Sequence, residues 1–175
     1  MTRGILLLLS PAILLLALSA SAQDEDTRLL GSPVCGGPNT KFKVTTDKRP
    51  HPAQPESGKA LLYFIQDDSE YAARPRPTTR MGIDGKWAGA THGDSYFFIS
   101  IDPGVHHLCA NWQSALDSRV AAVHFTAEAG GTYYFAAMDL GGRYVGTNLT
   151  LTPLDSDESH LLVGQLSFST SQPKK

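Results

Sequence analysis

Two histidines and a cysteine lie within four consecutive residues, in the stretch DPGVHHLCANW. Imidazole nitrogen and thiolate sulfur are preferred zinc ligands, so the first question is whether His106, His107 and Cys109 bind a metal. Successive side chains of a strand point to opposite faces, which separates His106 from His107. We expect His106 to face the core with Leu108. His107 then shares the outer face with Cys109, where His124 of another predicted strand can approach. We expect no metal site and no cofactor.

A second set of reactive residue types is HGDSY at 92–96 with DESH at 157–160. These blocks superficially resemble those of the GDS-type lipase and esterase family. That resemblance would make Ser95 the nucleophile, His160 the base and Asp157 its orienting acid. In that family, however, the serine follows the first buried strand of a parallel α/β sheet, whereas Ser95 begins a strand after a hairpin. We therefore expect no catalytic residues and keep a serine hydrolase as the weaker alternative.

The first 22 residues have the composition of a secretory signal peptide. Arg3 precedes an apolar run over 5–18, and small residues follow at 20–22. The run is about 14 residues long, whereas a membrane span needs ~20. We expect cleavage after Ala22 and an exported protein, periplasmic or secreted, without a transmembrane segment after signal removal.

The charge balance excludes some classes of partner. Fifteen Lys and Arg stand against 17 Asp and Glu, and the basic residues form no cluster. Nucleic acid and anionic membranes require a concentrated basic face, so we expect neither as a partner. The remaining candidates are an envelope component, either protein or glycan.

The chain contains two cysteines, Cys35 and Cys109. Because export leads to an oxidising compartment, we expect a disulfide between them, with free thiols or metal ligation as the alternatives. The bridge would tie an N-terminal arm to the body of the protein.

The elements that position these residues are short strands separated by turns. Apolar or alternating runs recur with turn signals every 8–14 residues. Asp84-Gly85 is a strong hairpin signal, and Pro103-Gly104 marks another corner. Cap-type and acidic residues followed by leucines predict one helix over 155–166. We predict an all-β fold: an antiparallel β-sandwich of about eight strands with one short C-terminal helix.

The domain organisation follows from these elements. Residues 1–22 are the signal peptide, and 23–58 are a flexible arm and Pro-rich loop with one edge strand. Residues 59–168 form the sandwich, and 169–175 form a polar tail.

Aromatic residues near the predicted hairpins suggest a binding surface. Trp87 follows the Asp-Gly turn, and Tyr96 lies on a neighbouring strand. Exposed aromatics there would bind a glycan or peptide, while the alternative places most of them in the core or rim. His107 is the remaining candidate binding residue.

Several segments resemble a bacterial family. They are GKALLYFIQDD, TTRMGIDGKWAGATHGDSYFFISIDPGVHHLC and AEAGGTYYF. Across residues 55–140 the chain resembles the DUF2846 family (domain of unknown function 2846) of exported and lipid-anchored envelope proteins. Its DGK hairpin followed by PG-x-H is similar to the PEGA envelope module. The resemblance implies a small envelope β-sandwich without established catalytic residues, in which Gly85 and Gly104 form turns and Gly89 allows a close strand approach.

These expectations combine into one hypothesis. We expect a non-enzymatic exported module of the bacterial cell envelope, with a structural or binding role.

Overall fold

The computed structural model describes residues 35–68, 76–113, 120–139 and 149–175. The predicted signal peptide and the first part of the arm lie outside these residues. Within them the chain forms two packed sheets and one helix, which confirms the predicted all-β sandwich. The strands are β1 (Phe42–Asp47), β2 (Ala60–Gln66), β3 (Thr78–Ile83), β4 (Lys86–His92), β5 (Ser95–Ile101), β6 (Gly104–Trp112), β7 (Val120–Ala127), β8 (Thr132–Asp139), β9 (Leu149–Pro153) and β10 (Ser167–Pro173). The helix α1 spans Ser156–Gln165.

The larger sheet has the strand order β1-β10-β5-β2-β8-β9, and the smaller sheet has the order β4-β3-β6-β7. The pairs β10–β5 and β2–β8 are parallel, so the prediction of a purely antiparallel sandwich needs correction. Parallel neighbours require a long crossover connection. Here the chain between β2 and β8 supplies β5 to the larger sheet and β3, β4, β6 and β7 to the smaller one.

The main core lies between the two sheets. Leu62 and Phe64 of β2 are fully buried there, together with Met81 and Leu108 of the smaller sheet and the nearly buried Phe135. Gly89 lies at a point of close approach, because a Cβ there would come within 3.1 Å of the Phe97 ring. The glycine therefore lets β4 lie against the larger sheet.

The outer face of the larger sheet is also covered. The alternate residues of β2, Leu61, Tyr63 and Ile65, are buried beneath apolar side chains of α1 such as Leu162 and Val163. Every residue of β2 is therefore buried. Burial on both faces explains why ALLYFIQ is a continuous apolar run rather than an alternating one.

The prediction of a polar tail over 169–175 is wrong. β10 lies between β1 and β5, and its register with β1 runs from Phe42↔Pro173 to Asp47↔Phe168. Ser169 is buried and donates a hydrogen bond to the Ser95 hydroxyl at 2.8 Å. The polar composition of SFSTSQP gives no sign of a strand. Only Ser169 of this segment is buried, and the other side chains remain at least partly exposed, so backbone pairing rather than apolar burial holds the strand in the sheet.

The arm is fastened as expected: Cys35 and Cys109 form a disulfide with a Cα–Cα distance of 5.8 Å, and both residues are buried. The arm crosses the outer face of the smaller sheet, where the Arg80 guanidinium donates to the carbonyls of Pro38 and Thr40 at 2.9 and 2.8 Å. In the part of the chain that the structure describes, we find no helix with the length and apolarity needed to cross a membrane.

Candidate binding cleft

A cleft of about 590 Å³ opens between the outer face of the larger sheet, helix α1 and the Pro-rich loop before β2. Its volume lies within the range typical of small-molecule sites. We call it the tyrosine cleft. Its lining residues are Lys48, Pro50, His51, Pro52, Ala53, Gln54, Tyr63, Tyr96, Thr132, Tyr134, Ser156, His160, Val163, Gly164 and Leu166.

Three tyrosines on adjacent strands form the cleft floor. Tyr63 of β2 lies opposite Tyr134 of β8 in the register, and their stacked rings have centroids 4.9 Å apart. Tyr96 of β5 is the diagonal neighbour, with a centroid distance of 6.0 Å to Tyr63. The period-2 alternation of the strands places all three on the face opposite the main core. The sheet therefore holds the three rings in fixed relative positions.

The hydroxyl groups of these tyrosines are neutral hydrogen-bonding groups. Burial raises the pKa of Tyr134 above its ordinary value of 10.0. Burial also raises the pKa of Tyr63 and of Tyr96, and for Tyr63 the neighbouring phenols act in the same direction. The three hydroxyls therefore stay protonated at physiological pH. Those of Tyr63 and Tyr96 hydrogen-bond to the backbone of Ala53 and His51, and all three side chains are largely buried at the base of the cleft.

Helix α1 supplies one wall of the cleft. Asp155 is its N-cap, and the carboxylate accepts hydrogen bonds from the backbone N–H groups of Asp157 and Glu158, each at 2.9 Å. The helix then presents His160, whose Nε2 lies 3.2 Å from the Tyr134 hydroxyl. The two rings meet edge to face with centroids 5.9 Å apart. The cap fixes the start of the helix and with it the position of His160 in the cleft.

The opposite wall comes from the loop before β2. His51 stacks on Phe168 with ring centroids 4.1 Å apart, and its Nε2 lies 3.4 Å from a carboxylate oxygen of Asp47. Lys48 is the one Lys, Arg, Asp or Glu among the lining residues named above. The cleft therefore combines aromatic rings, hydroxyls and imidazoles with little fixed charge.

A second depression, of about 680 Å³, lies beside the ion pair between Arg76 and Asp94. It is more open and less apolar than the tyrosine cleft. The more closed, aromatic cleft is the better candidate for a binding site.

The three residues of the hydrolase alternative are not brought together. Ser95 is fully buried, and its hydroxyl bonds within its own turn, accepting from the His92 N–H at 3.1 Å. Its strand neighbour Tyr96 faces the cleft, so Ser95 points away from His160. Asp157 is exposed in the first turn of α1. The hydrogen bonds of Ser95 and His160 thus go to different partners.

Trp87 is half-buried and contacts the arm. Its indole N–H donates to the Gly37 carbonyl at 2.9 Å, and the Arg80 guanidinium lies over the ring at 4.5 Å from the centroid. A Cβ at Gly36 would come within 2.8 Å of the indole. The arm therefore occupies part of the surface of the predicted binding residue Trp87, while the predicted Tyr96 lies in the cleft.

The two turns predicted as structural meet through His106. Asp84 and Gly85 form the β3–β4 turn with φ of 49° and 77°, as a type I′ turn requires. Pro103 lies between β5 and β6, and Gly104, with φ of 138°, opens β6. His106 Nδ1 lies 2.7 Å from the Asp84 carboxylate.

Tyr63 and Tyr134 were not predicted as site residues, and the cleft itself was not predicted. A signal was present: β2 is apolar from Ala60 to Ile65, which implies that both faces of its sheet are covered and that Tyr63 lies in a second buried layer. The packing of α1 on that layer is tertiary structure, which the periodicity of a single segment does not predict.

Among the described residues, no three His, Cys, Asp or Glu side chains group as metal ligands. Comparison of the chain with protein-family models, curated proteins and solved structures gives no match. The class that the fold and site define is therefore an all-β sandwich with a helix-covered tyrosine cleft.

Proposed function

We propose that the protein is a non-enzymatic, exported module of the bacterial cell envelope that holds a short glycan segment in the tyrosine cleft. The observation that carries this proposal is the chemistry of the cleft. Neutral phenol hydroxyls on Tyr63, Tyr96 and Tyr134 lie beside the imidazoles of His51 and His160, with aromatic faces between them.

Such a lining suits an uncharged ligand rich in hydroxyl groups. Hydroxyl and imidazole groups can donate to and accept from sugar hydroxyls, and aromatic and proline surfaces pack against the apolar faces of sugar rings. A strongly acidic or basic ligand would lack a counter-charge apart from Lys48.

The exported location is supported by two features. The N-terminal sequence has the basic, apolar and small-residue regions of a signal peptide. The Cys35–Cys109 disulfide is typical of proteins in oxidising compartments. The resemblance of residues 55–140 to exported envelope families supports the same location.

A titration with a short β-1,4-linked oligomer of N-acetylglucosamine, which carries no charge, tests the proposal. We expect His160→Ala to weaken binding about fivefold, since a neutral hydrogen bond contributes about 1 kcal/mol. Leu161→Ala is the matched control, because Leu161 is exposed on the same helix and does not line the cleft.

The result that overturns the proposal is equally specific. Glycan binding that is unchanged in His160→Ala would place the site elsewhere. Binding of a free peptidoglycan stem peptide in preference to the N-acetylglucosamine oligomer would assign the cleft to a peptide. No saturable binding of the oligomer by the wild-type protein would reject the glycan proposal.

A further inference from the structure

His107 and His124 lie directly opposite each other on neighbouring strands of the smaller sheet. Their Cα atoms are register partners of β6 and β7, and their ring centroids are 6.2 Å apart. Both side chains are exposed on the outer face of the sheet, on the side away from the main core. Backbone pairing thus holds the two imidazoles side by side, and neither side chain packs in the core.

The separation of the rings suits a shared metal ion. An imidazole nitrogen binds zinc at about 2.0–2.1 Å, which places each ring centre roughly 3.2 Å from the ion. Two rings on one tetrahedral ion then have centres roughly 5 Å apart, and an opposed pair roughly 6.4 Å apart. The observed 6.2 Å lies within this range, so changes in side-chain torsions alone allow a joint ligand geometry.

The neighbouring carboxylate is not part of the pair. The backbone N–H of His107 donates to Asp84 Oδ1 at 2.9 Å, and Asp84 lies on the β3 side of β6, whereas His124 lies on the β7 side. The Asp84 carboxylate contacts His106 instead. Cys109, on the same face, is bonded to Cys35 and supplies no thiolate.

We propose that His107 and His124 form a two-histidine surface site for a divalent transition-metal ion of the copper, zinc or nickel type. Imidazole is a preferred ligand of these ions, and the remaining coordination positions are filled by water. This proposal departs from the expectation, drawn from the sequence, that the chain has no metal site. It is independent of the tyrosine cleft and of the proposed glycan function.

Calorimetric titration of untagged mature protein with Cu²⁺ tests the proposal, with the electron paramagnetic resonance spectrum reporting nitrogen ligation. We expect one equivalent of Cu²⁺ bound through two nitrogens. His124→Ala and His107→Gln should each weaken Cu²⁺ binding by more than about tenfold. Removal of a group that only hydrogen-bonds to a metal ligand already lowers metal affinity about 10–100-fold, and here a ligand itself is removed. Since both side chains are exposed, their thermal unfolding without metal should match the wild type.

His92→Ala is the matched control, since His92 is an exposed histidine on β4 that lies beside Thr78 rather than beside another imidazole. It should bind Cu²⁺ like the wild type. Unchanged affinity in His124→Ala, or an equal loss in His92→Ala, would overturn the proposal. Affinity should also fall on acidification, because a ligating imidazole must be deprotonated, and a pH-independent affinity would contradict histidine ligation.

Discussion

His106 Nδ1 lies 2.7 Å from Asp84 Oδ2, and this contact joins the β3–β4 hairpin to the turn that precedes β6. His106 Nε2 lies 2.7 Å from the Asp102 carbonyl oxygen, so both ring nitrogens face acceptors. A carbonyl and a carboxylate accept but do not donate, which favours the doubly protonated imidazolium. The DGK segment therefore supplies the carboxylate, Asp84, and the PG-x-H segment supplies the imidazolium, His106, of one ion pair.

This contact predicts a pH-dependent stability. Burial lowers the pKa of His106, but the hydrogen bonds to Asp84 and Asp102 outweigh it, so its folded pKa is raised above the ordinary 6.5. The contribution to stability is complete below pH 6.5 and is lost as the pH rises through the raised folded value. Urea unfolding at pH 6 and pH 9 should show the loss, and His106→Gln should flatten the profile.

The stabilisation from the same contact is also lost at low pH. The folded pKa of Asp84 is lowered, so its contribution is present above the ordinary 3.8 and is lost as the pH falls through the lower folded value. Asp84→Asn keeps a residue that tolerates positive φ but removes the charge. We expect it to cost about 1 kcal/mol in the free energy of unfolding at pH 6, since the carboxylate is half exposed. A slope between pH 6 and pH 9 that is unchanged in this variant would contradict the account.

The disulfide predicts a large effect on stability. The bridge spans a sequence separation of 74 residues, and closing such a loop contributes about 4 kcal/mol in the chain-entropy model. The Cys35→Ala, Cys109→Ala double variant should lose about that amount in urea unfolding. A loss well under 1 kcal/mol would show that the arm is fixed by its other contacts, such as the hydrogen bonds of Arg80 and Trp87.

Replacement of glycine by alanine should change the stability of the protein in opposite directions at Gly85 and Gly164. Gly85 has φ of 77°, so Gly85→Ala should destabilise the protein by about 1–2 kcal/mol. Gly164 lies within α1, and a Cβ there would have no atom within 4 Å. Gly164→Ala should therefore stabilise by about 0.5–1 kcal/mol through helix propensity. Thermal unfolding of both variants checks the pair, and equal signs would contradict it.

The sequence predicts best those features that have a local cause. The Asp84-Gly85 turn and the helix with Asp155 as its cap follow from residue types over a few positions. The Cys35–Cys109 pairing spans 74 residues and was expected because the chain contains two cysteines. The strand in 167–173 was missed because its pairing partner β1 is more than 100 residues away. β10 is the second strand from the edge of its sheet and is polar, so its sequence lacks the apolar run by which a buried strand is recognised.

The candidate site was harder to predict because it depends on three distant segments. Tyr96 was identified from its strand, but its partners Tyr63 and Tyr134 become neighbours only through the pairing of β2 with β5 and β8. His106 was predicted on the core face, and the structure adds its two acceptors, the Asp102 carbonyl and the Asp84 carboxylate. Its charge state follows from that second acceptor, which no local pattern specifies.

The most direct test of the central claim is the ring ¹H–¹³C spectrum of the tyrosines during titration with an uncharged N-acetylglucosamine oligomer. The account predicts saturable shifts of Tyr63, Tyr96 and Tyr134, with little change at Tyr133. Tyr133 lies on the opposite face of β8, where its hydroxyl accepts from the Glu128 N–H at 2.9 Å. Shifts confined to Tyr133, or no saturable shift of the three cleft tyrosines, would contradict the account.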